Sequence, residues 1–365
     1  MMMPSYASLL HFLIGAIYAV ATTASSVEGL NELAVRAGLM YFGTAAHRLN
    51  ESEYVTILND TQRWGQVTPA NALKFDATEP SRNVFNWTEA DEFMNLALEN
   101  GQIRRCHNLV WRRALPDWLT SEIWSREELM SILENHIKNV VSKYEGRCYA
   151  WDVVNEAFHN NGTWQSHIWK QANAAASTVR YDTIGPEYVS FAFKTARKYT
   201  TAKLYYNDDN MTDINPKVDA VRSMILKFQA DGIPIDGVGI EGHETVGKAP
   251  DYTAMLQAMR YFASIPNLEI AITELDVGIP QPSDEAKLEQ QAEVYANAVA
   301  ACQKVGACVG VTVWDFWDTV SWVPSSRPWL GDAQLFWPNL TAKPAYYRIA
   351  EVLRNAADQA SGEDV

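Results

Sequence analysis

The chain is short of cysteine, of basic side chains and of long apolar runs, and each shortage removes a class of protein. Four cysteines in 365 residues are too few for a disulfide-built scaffold, and no Cys/His spacing matches a zinc site, so no metal is expected. Lysine and arginine number 30 against 44 acidic residues, a formal net charge of −14. That charge repels phosphate backbones and anionic lipid, so neither nucleic acid nor a membrane surface is an expected partner. No glycine-rich dinucleotide fingerprint follows the first strand-like run, and no cofactor is expected. Residues 1 to about 24 carry no Asp, Glu, Lys or Arg, and their apolar run from Leu9 to Val20 is short for a membrane span. Small residues follow it, so residues 1–24 read as a signal peptide cleaved near Ala24, although a basic leading segment is missing. Residues 25–365 are then expected outside the cell, free of the membrane and monomeric. Six Asn-x-Ser/Thr sequons, beginning at Asn50, Asn59, Asn86, Asn161, Asn210 and Asn339, suit glycosylation there.

What the chain does have is apolar and aromatic material: 47% hydrophobic residues, with 13 Trp and 16 Tyr. That suffices for one large core, and no linker or low-complexity tract divides it. Strand-like runs fall at 39–45, 64–68, 103–110, 149–155, 203–206, 237–240, 269–274 and 309–314. Helical spacing occupies the intervals. Leu129, Ile132, Leu133, Ile137, Val140, Val141 and Tyr144 make one apolar stripe, and others cover 89–99, 187–199, 217–230, 252–263, 285–305 and 345–356. Eight β-then-α units predict an α/β fold, a single-domain (β/α)8 TIM barrel, with a doubly wound open sheet as the alternative. Cys302 and Cys308 close a small loop and are expected to be bridged. Cys106 and Cys148 fall near opposite ends of adjacent strands, and are expected to be buried and free. His136, on an apolar helix face, is expected only to pack.

Two stretches carry the chemistry. Residues 149–158, Tyr-Ala-Trp-Asp-Val-Val-Asn-Glu-Ala-Phe, begin as a buried strand and end by presenting Asn155 and Glu156. Residues 268–277, Leu-Glu-Ile-Ala-Ile-Thr-Glu-Leu-Asp-Val, place Ile270, Ile272, Glu274 and Asp276 on one face. Two strands that each end in a carboxylate are what a glycosidase with paired carboxylates needs. In a barrel, the working residues sit at the C-terminal ends of strands. Around that rim the sequence places Asn71 and Lys74, His107 and Trp111, Asn207 and Asp209, Glu241 and His243, and Trp314 and Trp322. Strict alternation would turn Asn155 and Glu156 to opposite faces, so the strand is expected to bulge or stop there.

With these motifs the chain resembles glycoside hydrolase family 10, best known for retaining endo-1,4-β-xylanases, over about residues 30–356. Trp151-Asp152-Val153-Val154-Asn155-Glu156-Ala157 and Thr273-Glu274-Leu275-Asp276 are the strongest matches. Asn71-Ala72-Leu73-Lys74, Tyr206-Asn207-Asp208 and Thr312-Val313-Trp314 with Ser321-Trp322 support them. The resemblance implies that Glu156 is the general acid/base and Glu274 the nucleophile, with His243 and Asp276 holding Glu274. It implies that Asn155 binds the sugar 2-hydroxyl, that Lys74, His107, Trp111, Trp314 and Trp322 line the glycone sites, and that Cys302 and Cys308 form the bridge of fungal members.

Several positions depart from the family pattern. Ala70 stands for Glu, Arg112-Arg113-Ala114 for His-Ser-Gln, Cys106 for Gly, Glu241-Gly242 for Gln-Ser, and Asp209 for a stacking Tyr. Lost sugar-gripping groups and added room favour a hexose glycone, and acidic Asp209 and Glu241 favour a cationic aglycone. The expectation is therefore a hydrolase of a plant glycoside such as the glycoalkaloid α-tomatine, as in the family's fungal tomatinases. The alternatives are an endo-1,4-β-xylanase and, more remotely, a non-catalytic glycan-binding barrel.

Overall fold

The computed structural model describes residues 28–165 and 184–362. The expected leader (residues 1–24) lies outside the described residues. All eight expected strands form: β1 Tyr41–Ala46, β2 Gln66–Pro69, β3 Ile103–Val110, β4 Ala150–Asn155, β5 Lys203–Asp208, β6 Gly237–Ile240, β7 Glu269–Pro280 and β8 Cys308–Val313. Each pairs in parallel with its neighbours, and β8 also pairs with β1, which closes the barrel. Strand β7 runs past the expected Glu274 to Pro280, because His243–Thr245 and Leu330–Gly331 add short pairings beyond the rim. The open-sheet alternative is excluded by this closure.

Helices wrap the barrel where the apolar spacing places them. In Arg126–Lys143 the stripe is buried, and Ser125 and Glu128 satisfy each other's backbone N–H groups in a capping box. His136 in that stripe is buried as expected, with its ring on Phe75 and Nδ1 3.0 Å from Glu79 Oε2. Helices Leu30–Arg36 and Ser52–Leu58 were not foreseen; at seven residues each, they cover about two turns, less than the window of about 11–18 residues over which helical spacing stands out.

The barrel interior is polar at mid-height. Arg105 on β3 donates through Nη2 and Nε to Asp152 on β4, at 2.5 and 3.2 Å, with both side chains 1% exposed. The guanidinium lies 4.2 Å from the Tyr205 ring centroid. Room for that ring comes from Gly237 on β6, where a Cβ would fall 2.3 Å from it. Burial opposes charge on Asp152, but Arg105 outweighs it and holds the carboxyl below its ordinary value.

All four cysteines are bridged, Cys302 to Cys308 as expected and Cys106 to Cys148 against expectation. The argument for free thiols assumed extended chain through Cys148. Instead Cys148 precedes β4, in chain that bends at Tyr149, and its Cα comes within 5.9 Å of Cys106 Cα. The bridged residues are separated by 42 positions in one case and 6 in the other. Loop-closure entropy then assigns about 4 kcal/mol to the first bridge and about 2 kcal/mol to the second. Urea unfolding of the Cys106→Ala/Cys148→Ala and Cys302→Ala/Cys308→Ala variants is expected to show that order, and equal losses would contradict it.

Candidate active site

Strand β4 stops at Asn155, and Glu156 adopts a left-handed backbone with φ 53°. A non-glycine residue held there is strained, and the strain turns both side chains inward where alternation would separate them. The backbone carries the rim from strand to strand. Glu156 N–H donates to Asn207 O at 2.9 Å, Glu241 N–H to Asp208 O at 3.1 Å, and Glu274 N–H to Glu241 O at 2.9 Å.

Above this rim lies a cavity of about 670 Å³. It gathers Asn71, Lys74, His107, Trp111, Asn155 and Glu156 with Asp209, Glu241, His243, Glu274, Trp314 and Trp322. Two expected site residues stand behind its wall. Asn207 is fully buried, and its Nδ2 is spent on Asn155 Oδ1 at 2.7 Å, Glu274 Oε1 at 2.8 Å and Glu241 Oε1 at 3.2 Å. Its Oδ1 accepts from Thr273 Oγ1 at 2.6 Å. Asn207 was expected to touch substrate; in the structure its amide is bonded within the protein, to Asn155, Glu241, Glu274 and Thr273. Asp276 lies 3.0 Å from His243 Nδ1 and accepts from Trp322 Nε1 at 2.7 Å.

Glu274 is thus held from two sides. Asn207 donates to Oε1, and His243 Nε2 lies 3.3 Å from Oε2. Burial opposes charge on His243, but Asp276 and Glu274 outweigh it and push the ring up to about 10. Glu241, His243 and Glu274 bring ligand-type atoms within 4.8 Å of one another. A doubly protonated imidazole, however, offers Glu274 a donor and a cation no lone pair. Glu241 is 1% exposed, and burial, then the charges of Glu274 and Glu156, push its carboxyl well above the ordinary range. Its proton is therefore held more tightly than an ordinary glutamic acid holds one.

The remaining wall is aromatic and cationic. Lys74 donates to Asn71 Oδ1 at 2.9 Å and sits 4.9 Å from the Trp111 ring centroid. His107 Nδ1 lies 3.0 Å from Asp152 Oδ2, which joins the site to the buried Arg105. The rim reading omitted His47, Asp315, Arg112, Arg113 and Arg327, all of which line the cavity. Arg112 Nη2 donates to Glu156 Oε2 at 2.7 Å. The sequence showed this arginine as a departure but could not show where a loop side chain points. Trp164 stacks on Phe158 with centroids 4.1 Å apart, while His167 and Trp169 lie outside the described residues.

A model for glycosyl hydrolase family 10 matches residues 29–352. The chain belongs to that family. Among family 10 proteins, it is similar to endo-1,4-β-xylanase 1 of Humicola insolens, 40% identical over 340 residues that cover 92% of this chain and 76% of that one. Endo-1,4-β-xylanase A of Phanerodontia chrysosporium is 40% identical over 89% of this chain and 77% of its own. The solved endo-1,4-β-xylanase of Penicillium canescens superposes with a TM-score of 0.83 at 41% identity, covering 90% of this chain and 98% of that one. A family 10 xylanase from Bispora, solved with xylobiose, gives a TM-score of 0.83 at 40% identity over 89% and 99% of the two chains. As a family 10 member the protein is a retaining O-glycosyl hydrolase.

The raised proton affinity of Glu241 has a measurable consequence. Its proton stays bound in the folded protein at pH values where the unfolded chain, near 4.5, has released it. The folded state then binds more protons, so this contribution to stability is complete below about pH 4.5 and declines as pH rises toward the elevated folded value. Glu241→Gln keeps the shape and cannot ionise. Chemical denaturation from pH 4 upward is expected to show a shallower alkaline decline in the variant, and superimposable profiles would refute the assignment.

Proposed function

We propose that the protein is an endo-1,4-β-xylanase working by double displacement, with Glu274 as nucleophile and Glu156 as general acid/base. The observation that carries this is the pair itself. Both carboxyl groups face one cavity from the ends of β4 and β7, and Glu274 is gripped by an amide and an imidazolium. Glu274 attacks the anomeric carbon while Glu156 protonates the leaving oxygen; water activated by Glu156 then releases the sugar. Retention calls for a carboxyl separation of about 5–5.5 Å. Asn155, Lys74, His107, Trp111, Trp314 and Trp322 are read as the sugar-binding wall.

The xylan reading displaces the plant-glycoside one on physical grounds as well as on the relatives' names. The cationic aglycone was to meet Asp209 and Glu241. Asp209 is instead ion-paired with Lys217, and Glu241 is buried with its carboxyl pushed well above the ordinary range, which favours the uncharged form. Of the two positions thought to add room, Ala70 lines the cavity, while the same wall gains Arg112 and Arg113. Two bridges and exposed Asn residues at all six sequons support reading the protein as secreted. A monomer remains part of this proposal.

Digestion of β-1,4-xylan beside α-tomatine is expected to release xylobiose and xylotriose and to leave tomatine intact; an intact tetrasaccharide from tomatine would reverse the choice. Glu156→Gln is expected to slow xylan hydrolysis about 10²–10⁴-fold, and Glu274→Gln to abolish it. Normal turnover by Glu274→Gln, or proton NMR showing an inverted first product, would overturn the mechanism.

A further inference from the structure

The chain carries a net charge of −14, and most of its arginines face a carboxylate of the protein, as Arg36, Arg63, Arg105, Arg126, Arg197, Arg348 and Arg354 do. Among the described residues Arg82, Arg104, Arg147, Arg222 and Arg260 lack an acidic partner, but none of them lines the catalytic cavity. Arg113 and Arg327 line it with no acidic partner among the described residues, Arg327 resting 5.5 Å from the Trp322 ring centroid. Arg112 spends one nitrogen on Glu156, while its buried Nε has no hydrogen-bond partner among the described residues. In an acidic protein, guanidinium groups left unneutralised in a substrate cavity mark the charge of what enters it.

We propose that Arg112 and Arg113, with Arg327 across the cavity, form a carboxylate-recognition site, so that the preferred substrate is an acidic oligosaccharide: a β-1,4-linked xylose chain bearing a uronic acid branch. This rests on the xylanase reading and narrows its substrate. Hydroxyl groups of a neutral sugar need no cation, whereas a guanidinium presents a planar fork of donors matched to the two oxygens of a carboxylate. When the Arg112 side chain turns from Glu156 into the cavity, its Nε, buried and unpartnered in the free protein, can complete such a fork with one of its Nη nitrogens.

The same contact bears on catalysis. In the free protein Arg112 occupies Oε2 of Glu156, an oxygen that the acid step needs protonated. A substrate carboxylate that takes the guanidinium releases Glu156. Glu156 then accepts one proton from solvent and passes it to the leaving oxygen as Glu274 attacks the anomeric carbon. No other reagent enters, and Arg112 acts as a specificity residue that gates the acid through its choice of partner.

The test separates binding from turnover. Calorimetry on Glu274→Gln would compare xylotetraose carrying one glucuronic acid branch with the same compound whose carboxyl has been reduced to the alcohol. The acidic ligand is expected to bind at least about ten-fold tighter at low salt. In the Glu274→Gln background, Arg112→Gln/Arg113→Gln is expected to bring the two affinities together. Arg113→Gln alone, at an exposed position, gives a partial loss if the double variant does not fold. Equal affinities for the two ligands, or a preference that survives in Arg113→Gln and in the double variant alike, would overturn the proposal. In the active enzyme, kcat is expected to be higher for the acidic compound. Cleavage of the reduced compound together with equal affinities would leave the xylanase reading standing and sink this one alone.

Discussion

Three carboxyl groups, Glu241, Glu274 and Asp276, are packed around one imidazole at the barrel rim, and keeping the charges compatible there constrains everything nearby. Buried like charges a few ångströms apart repel strongly, so not all three sites can be anionic without a cation among them. The protein answers this with a raised proton affinity at Glu241, a positive ring at His243 and the Asn207 amide, whose Nδ2 faces both Glu241 and Glu274. The arrangement leaves Glu274 held by an N–H donor on each oxygen, which is the positioning its proposed role as nucleophile calls for before substrate arrives. Because these groups stand on consecutive strands of a closed barrel, no one of them moves without disturbing its neighbours' backbone hydrogen bonds.

The polar interior below the rim extends that constraint into the fold. Arg105 holds Asp152, Asp152 holds His107, and His107 Nδ1 lies 3.7 Å from Glu274 Oε1. A buried ion pair of this kind is a poor source of net stability, since desolvation consumes most of its attraction. Its value here is geometric. It fixes the His107 ring from behind, so the cavity wall beside Glu274 is set by groups that never meet substrate.

Much of this was legible in the sequence because strands and helices write their burial as a period. All eight strands and the long helices followed from apolar spacing, and Glu156 and Glu274 from acids where a buried strand should end. What escaped was set by chain direction outside regular elements. The bend at Tyr149 brings Cys148 to Cys106. That the strand stops at Asn155 was expected, but the left-handed backbone at Glu156 that achieves it was not. Arg112 points at Glu156, the proposed acid/base, from a loop that has no period to read. Charge states escaped for a related reason. Asp209 looks free in sequence, yet Lys217, at the start of helix Pro216–Ala230, shares its Nζ between Asp208 and Asp209. Glu241 looks like an ordinary carboxylate until its burial beside Glu274 is known.

The arginine at the acid/base has a cost that charge counting exposes. In the free protein Arg112 and Glu156 cancel. When Glu156 takes up the proton it will deliver, the guanidinium is left with a full positive charge at the edge of the reacting centre. The sugar itself then develops positive charge as its glycosidic bond stretches toward an oxocarbenium ion. In a site partly closed to water, two like charges arising together raise the barrier. A neutral substrate has nothing to set against the guanidinium. An acidic one supplies a carboxylate that restores the balance at the moment Glu156 gives it up. The departure from the family pattern at Arg112 therefore penalises neutral chains and is compensated for acidic ones, a discrimination built from one charge rather than from the shape of the cavity.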